Sequence, residues 1–222
     1  MRGAWRVMGG GRGLRVRADW RGAVRIVERV MGEYHAYYAA WAARAGGGLV
    51  ARVGGRPAGA VVYYQAGLPG ATLGVVYYVA VLPEFRGLGL GRVLVASAEE
   101  AMVGSHAYVA TTTDSNAASK RLFRSMGYTV ESWEGLEARL GPVAAEALRL
   151  ATCAYEDDIV MVREEEPGAL HRLAPESLGA AQGYWEKLCL RPWLERRRGP
   201  KSALGRVLGA LEAPLGWVGL TF

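Results

Sequence analysis

Arg86, Gly89 and Gly91 form the pattern Arg-x-x-Gly-x-Gly inside the run Arg86-Gly87-Leu88-Gly89-Leu90-Gly91-Arg92, and Asn116, the only asparagine of the chain, follows thirty residues after Arg86. Backbone without Cβ atoms can close on a ligand while several N–H groups point outward. At the start of a helix such groups hold a phosphate or pyrophosphate. Two familiar glycine loops are excluded. A nucleotide-binding P-loop ends in Gly-Lys-Ser/Thr, whereas Gly91 is followed by Arg92-Val93. A dinucleotide fingerprint needs G-x-G-x-x-G, and neither Gly87-x-Gly89 nor Gly89-x-Gly91 finds its third glycine.

The elements that must position these residues follow from periodicity. Leu14–Arg17 alternates apolar and basic residues as a short strand does. Asp19 is placed to cap a helix whose apolar positions, from Val24 to Trp41, recur at three- and four-residue steps, with Gly32 able to split it. Leu49–Val53 and Ala58–Gln65 read as strands around the turn Gly54-Gly55-Arg56-Pro57. Leu73–Leu82 is almost wholly apolar, as a central strand buried on both faces should be. The spacing then predicts a helix from Leu90 to about Val103, a strand at Ala107–Thr112, and a helix led by Asn116, capped by Asp114 or Ser115 and ended by Gly127. Tyr128–Trp133 and Ile159–Arg163 read as hairpin partners, with a helix-like stretch, Glu137–Ala151, between them.

The glycine pattern, preceded by Val79-Ala80-Val81-Leu82-Pro83-Glu84-Phe85, resembles the acyl-CoA signature of the GNAT acetyltransferase superfamily. The segment Asn116-Ala117-Ala118-Ser119-Lys120-Arg121-Leu122-Phe123-Arg124-Ser125-Met126-Gly127-Tyr128 is similar to that family's asparagine-led helix. Together the two matches cover residues 75–130 at the family's usual separation. The resemblance implies a mixed α/β fold and acetyl-CoA as cosubstrate. It also implies site roles. The backbone of Gly87, Leu88, Gly89, Leu90, Gly91 and Arg92 would hold the CoA pyrophosphate, with Arg86 and Arg92 adding positive charge. Val79, Ala80 and Val81 would lie beside the pantetheine and the acetyl group, a free N–H there polarising the thioester oxygen. Asn116 would bond the pantetheine arm, its alternative being a helix cap. Phe123 stands where the family usually has a tyrosine that protonates the leaving thiolate, and it has no hydroxyl.

Acid and base are therefore the open part of the site. A thiol with a pKa near 8.5 leaves without a protein acid at neutral pH, but an amine near pKa 10 must lose a proton. Many relatives carry a glutamate five residues before the asparagine; here that position is Thr111. The candidates are Tyr77 or Tyr78 on the central strand, Glu33 or His35 on the second helix, and Asp114 acting through water. Tyr34, Tyr37, Tyr38 and Trp41 sit where relatives shape the acceptor pocket, and core packing explains them equally well. The acidic run Glu164-Glu165-Glu166 reads as a solvated strand end or a lure for a cationic acceptor. Arg196-Arg197-Arg198 reads as a solvated turn or a nucleic-acid contact.

Composition narrows the classes. Net charge is +6, supplied almost wholly by arginine, since Lys120, Lys187 and Lys201 are the only lysines. Amides are scarce, a trend of heat-adapted proteins that arginine-rich genomes can mimic. No apolar stretch reaches the roughly 18 residues needed to span a bilayer, and Met1–Arg17 lacks the apolar core of a secretory signal. Cys153 and Cys189 have no C-x-x-C spacing, so neither a disulfide framework nor a zinc site is expected. These observations point to a soluble, cytoplasmic protein. We expect a transferase domain over residues 14–166. Residues 167–222, which carry eight basic and four acidic residues and helical patterns at Leu178–Leu190 and Ser202–Leu211, should form an extension packed on that domain or on a dimer partner. The function implied is acetyl transfer from acetyl-CoA to a primary amine of a protein or small molecule, by direct attack in a ternary complex. Two rival readings are a CoA-binding module with little catalysis and a nucleic-acid-associated protein using its arginine-rich termini.

Overall fold

A computed structural model describes residues 6–7 and 13–198. The helical pattern at Ser202–Leu211 lies outside the described residues. In chain order the elements are β1 (Arg6–Val7), β2 (Leu14–Ala18), α1 (Trp20–Met31), α2 (Glu33–Ala45), β3 (Gly47–Val53), β4 (Arg56–Leu68), β5 (Ala71–Val81) and α3 (Leu90–Ala101). There follow β6 (Ala107–Thr112), α4 (Ala117–Arg124), β7 (Thr129–Ser132), α5 (Trp133–Leu140), α6 (Pro142–Thr152), β8 (Ile159–Glu164), α7 (Glu176–Trp185) and α8 (Arg191–Arg198). The strands form one mixed sheet in the order β1-β2-β3-β4-β5-β6-β8-β7.

Every neighbouring pair is antiparallel except β5 and β6. That parallel pair is brief. Leu73, Gly74 and Val75 register with Ala107, Tyr108 and Val109, and beyond them the two strands part. Gly74 allows the close approach, because a Cβ there would lie 2.5 Å from the Tyr108 ring. The sheet is thus pinned at one end of β5–β6 and open at the other.

Each face of the sheet carries a core. One face packs α1, α2, α5, α6 and α7 around Val24, Tyr37, Leu136 and Leu148; the other packs α3 and α4 around Leu94, Phe123 and Met161. The first helical stretch is split at Gly32, whose φ of 91° breaks the helical path. Asp19 caps α1, its Oδ1 accepting from the Gly22 N–H at 2.8 Å. The alanines of α2 (Ala36, Ala39, Ala40, Ala43) are buried and let it lie close to α1.

Four expectations are corrected. Asn116, and not Asp114 or Ser115, caps α4. The strand expected to reach Trp133 stops at Ser132, whose hydroxyl caps α5 instead, accepting from the Gly135 N–H at 3.2 Å. The stretch Glu137–Ala151 is two helices, because Gly141 has a positive φ and Pro142 opens α6 as a helix-starting proline should. Cys153 and Cys189 are joined in a disulfide, with Cα atoms 5.8 Å apart. The chain folds back through α7, so two thiols that lack any local spacing meet across 36 residues.

Further ties hold this C-terminal stretch against the sheet. The Tyr184 hydroxyl accepts from the Gly67 N–H at 3.0 Å, and the Ser177 hydroxyl donates to the Pro69 carbonyl at 2.7 Å. Leu170, Ala181 and Leu188 are buried in the same core as α1 and α2. Among the described residues no helix is long and apolar enough to cross a membrane.

Candidate active site

The glycine loop begins where β5 ends. Pro83–Phe85 forms one 3₁₀ turn, Gly87 and Gly89 take φ values of 78° and 75°, and α3 starts at Leu90. A side chain at Gly89 would strain this left-handed conformation, whereas at Gly91 it would meet Leu122 of α4 at 3.1 Å. Carbonyl partners exist for the N–H groups of Phe85, Arg86, Arg92 and Val93. Among the described residues the five N–H groups between them, Gly87 to Gly91, have none. The start of α3 adds its positive dipole end, so the loop is suited to an anion such as a pyrophosphate.

The flanking arginines are exposed. Arg86 Nε donates to the Val81 carbonyl at 3.3 Å and Arg92 Nε to the Ser125 hydroxyl at 3.0 Å, so each guanidinium is anchored beside the loop. Leu88 is exposed at the loop tip and Leu90 is buried beneath it. Val79 and Val81 are half-buried and Ala80 is buried, on the stretch of β5 that has left β6. Asn116 is committed at both ends of its amide: Oδ1 accepts from the Ser119 N–H at 3.1 Å, and Nδ2 donates to the Thr112 hydroxyl at 3.0 Å. Phe123 is 2% exposed and packs edge-on against Tyr128, 4.9 Å between centroids. Its ring is part of the core under α4.

The tyrosines of β5 are placed by a bulge. Val62 pairs with Tyr78 and Tyr63 with Val76, leaving Tyr77 with no partner on β4. Because of that extra residue, both Tyr77 and Tyr78 pack toward α2, with ring centroids 4.7 Å apart. The Tyr78 hydroxyl lies 3.4 Å from His35 Nδ1. Burial, first of all, pushes Tyr77 and Tyr78 well above the ordinary tyrosine pKa, and nearby Asp157 adds to the rise. Such hydroxyls keep their protons: they are suited to donate a hydrogen bond, not to act as bases.

The other sequence candidates are dispersed. Glu33 is exposed in the first turn of α2. Asp114 is exposed and held by the Lys120 ammonium at 2.7 Å, which lowers its pKa and weakens it as a base. The run Glu164-Glu165-Glu166 is tied to arginines: Glu164 to Arg139, Glu165 to Arg163, and Glu166 to Arg172. Arg196 lies over the Tyr34 ring, 4.7 Å from its centroid, so α8 covers part of the aromatic set on α2.

Asp157 is the residue that the sequence did not single out. It stands on the loop joining α6 to β8, half-buried, and its Oδ2 accepts from the Thr111 hydroxyl at 2.5 Å. Burial is the largest cause of its raised pKa; Asp158 and Glu156 add to it, while Thr111 and His35 oppose it. It lines a groove of about 550 Å³ that also receives Asp114, Glu134, Glu146, Asp158 and the stacked pair Arg149–Trp133. Thr111 was the one local pointer to it, a hydroxyl on β6 that bonds a carboxylate from the loop entering the neighbouring strand.

A model of the acetyltransferase (GNAT) family matches residues 16–128. No curated protein matches the chain in sequence. Among solved structures, a protein of Pyrococcus horikoshii superposes with a TM-score of 0.52 at 14% identity, over 69% of this chain and 99% of that one. The GNAT family N-acetyltransferase YhbS of Escherichia coli, solved in complex with CoA, gives 0.50 at 18% identity, over 76% of this chain and 90% of that one.

Proposed function

This protein belongs to the GNAT family of acetyltransferases, and from that premise we propose that it transfers the acetyl group of acetyl-CoA to a primary amine, by direct attack in a ternary complex. The observation that carries the proposal is the junction of two features: β5 and β6 part beyond Val75 and Val109, and a loop with five consecutive unpartnered N–H groups begins where β5 ends. The loop from Gly87 to Arg92 takes the pyrophosphate, with Arg86 and Arg92 supplying charge. The pantetheine runs into the gap past Val79, Ala80 and Val81, and a backbone N–H of that stretch polarises the thioester oxygen. One preorganised donor of this kind lowers a barrier by about 3–4 kcal/mol.

Tyr78 and Tyr77, protonated and on the stretch of β5 beyond its last pairing with β6, are the hydroxyls able to donate a hydrogen bond to the leaving thiolate where Phe123 has none. Phe123 contributes only apolar packing, and Asn116 acts chiefly by fixing the start of α4. The amine enters from the groove beside Asp157, whose carboxylates favour an ammonium group. Residues 14–166 form the transferase unit in this reading. The helices from residue 167 onward shape its acceptor side, with Arg196 closing over Tyr34.

The test is thiol release from acetyl-CoA with a panel of primary amines, with the acetylated product identified by mass spectrometry. Amine-dependent release with formation of an N-acetyl amide is the expected result. Tight acetyl-CoA binding with no release for any amine would favour the rival reading, a CoA-binding module.

A further inference from the structure

We infer that Asp157 takes the proton from the acceptor amine, with Thr111 as its positioning residue. The inference rests on the transferase reading above. Thr111 lies on β6, on the same face as Ala107 and Val109 and just beyond the last pairing with β5. A carboxylate bonded to its hydroxyl is therefore held on the α2 side of the sheet, next to the opening between the strands. The Trp133 indole N–H donates to the Asp157 carbonyl at 2.8 Å and fixes the loop from its other side. The side chain thus reaches this place from another strand's loop, 46 residues along the chain, and is anchored at both backbone and carboxylate.

Comparison with its neighbours leaves few other bases. Tyr77 and Tyr78 on β5 hold their protons. Asp114, after β6, is neutralised by Lys120. On its own loop Asp157 faces Glu156 and Asp158, which raise its proton affinity; from α2 His35 lowers it. From α5 and α6, Glu134, Glu146 and Arg149 line the same groove. A carboxylate raised in this way is a better proton acceptor than an ordinary one.

The step balances as follows. The ammonium gives one proton to the Asp157 carboxylate and becomes a neutral amine. Its nitrogen lone pair forms the C–N bond to the thioester carbonyl carbon, and the C–S pair departs on sulfur. The departing thiolate accepts a hydrogen bond from the Tyr78 hydroxyl and takes the proton that leaves the acylated nitrogen, while Asp157 returns its own to solvent. One proton is released per turnover.

The experiment is a pH–rate profile of the full chain, with acetyl-CoA and spermidine, glucosamine or a lysine-containing peptide as acceptor, beside calorimetric titration with acetyl-CoA. Asp157→Asn keeps an oxygen for Thr111 but no basicity. We expect kcat/KM to fall about 10²- to 10⁴-fold, the acid limb to vanish and acetyl-CoA affinity to hold. Thr111→Val removes a bond that favours the charged form, so the limb should move to higher pH; a purely structural role would lower stability and leave the limb in place. An unchanged limb in Asp157→Asn, or a limb abolished by His35→Gln and not by Asp157→Asn, overturns the assignment of the base alone. Wild-type protein that binds acetyl-CoA but acetylates none of the three amines overturns the transfer reading, and the base with it.

Discussion

Glu99 is a buried carboxylate and Asp157 a half-buried one, one on each face of the sheet, and their surroundings differ in kind. Glu99, on α3, accepts from the Tyr128 hydroxyl at 2.6 Å and pairs with the Arg163 guanidinium at 3.1 Å. Arg163 in turn reaches Glu165 at 2.7 Å and lies over the Tyr108 and Tyr128 rings. Every charge in that cluster has a permanent opposite. Asp157 has a hydroxyl, two acidic neighbours on its own loop, and a histidine as the group that favours its charge. A carboxylate locked to an arginine holds elements together. One held by a neutral hydroxyl can exchange a proton at modest cost, which is what a base requires.

Substitutions that neutralise each carboxylate should therefore have opposite signatures. Glu99→Ala strips a partner from Arg163 and from Tyr128 and should cost about 3 kcal/mol, near the lower end for a broken buried pair because Glu165 remains. Calorimetric melting should show a fall of roughly 6–12 °C for a chain of this size, with acetyl-CoA affinity nearly unchanged. A stability close to wild type would erase the distinction between the two sites.

The glycine loop touches neither cluster. A Gly89→Val, Gly91→Val double variant should weaken acetyl-CoA binding at least about tenfold, worth about 1.4 kcal/mol, because one change strains a left-handed residue and the other presses on Leu122. Circular dichroism should show the fold intact. Unaltered affinity in a folded variant would remove the loop from the account.

The smallest effect expected is in stability, at Asp157. Its folded pKa is raised, so below the unfolded pKa both states are protonated and the group costs the fold nothing. As pH rises through the window between the unfolded and the folded pKa, the unfolded chain ionises first and stability is lost. Asp157→Asn removes that loss. Its melting temperature relative to wild type should be unchanged or lower in acid and higher at neutral pH, and a variant less stable at neutral pH would show that the carboxylate is structural.

The two faces also differ in how much the sequence revealed. The glycine loop, the end of β5 and α4 are contiguous or nearly so, and each carries a local signal: left-handed glycines, an apolar run, an asparagine that caps its own helix. Asp19 and Gly32 marked the ends of α1 for the same reason. The side of the sheet that carries Asp157 is assembled from distant pieces. Asp157 matters only because β8 pairs with β6 in a register that sets Thr112 against Ile159. Tyr77 and Tyr78 share a face only because β4 and β5 slip by one residue, and a strand's own periodicity predicts opposite faces. Cys153 and Cys189 meet through the return of α7, and Arg196 finds Tyr34 through α8. None of these depends on local spacing, so no pattern in the chain displays it. The disulfide, closing 36 residues, removes about 3–4 kcal/mol of chain entropy from the unfolded state and helps to hold that side together.

The central claim is that acetyl-CoA seats its pyrophosphate on the unpartnered N–H groups from Gly87 to Gly91 and its thioester beside Val79–Val81. Amide hydrogen exchange of the full chain, with and without acetyl-CoA, reads those groups directly. The account predicts rapid exchange across 87–91 in the free protein, marked slowing there and at 79–81 on addition of acetyl-CoA, and no change around Glu99. Acetyl-CoA binding that slows exchange elsewhere and leaves 87–91 untouched would contradict it.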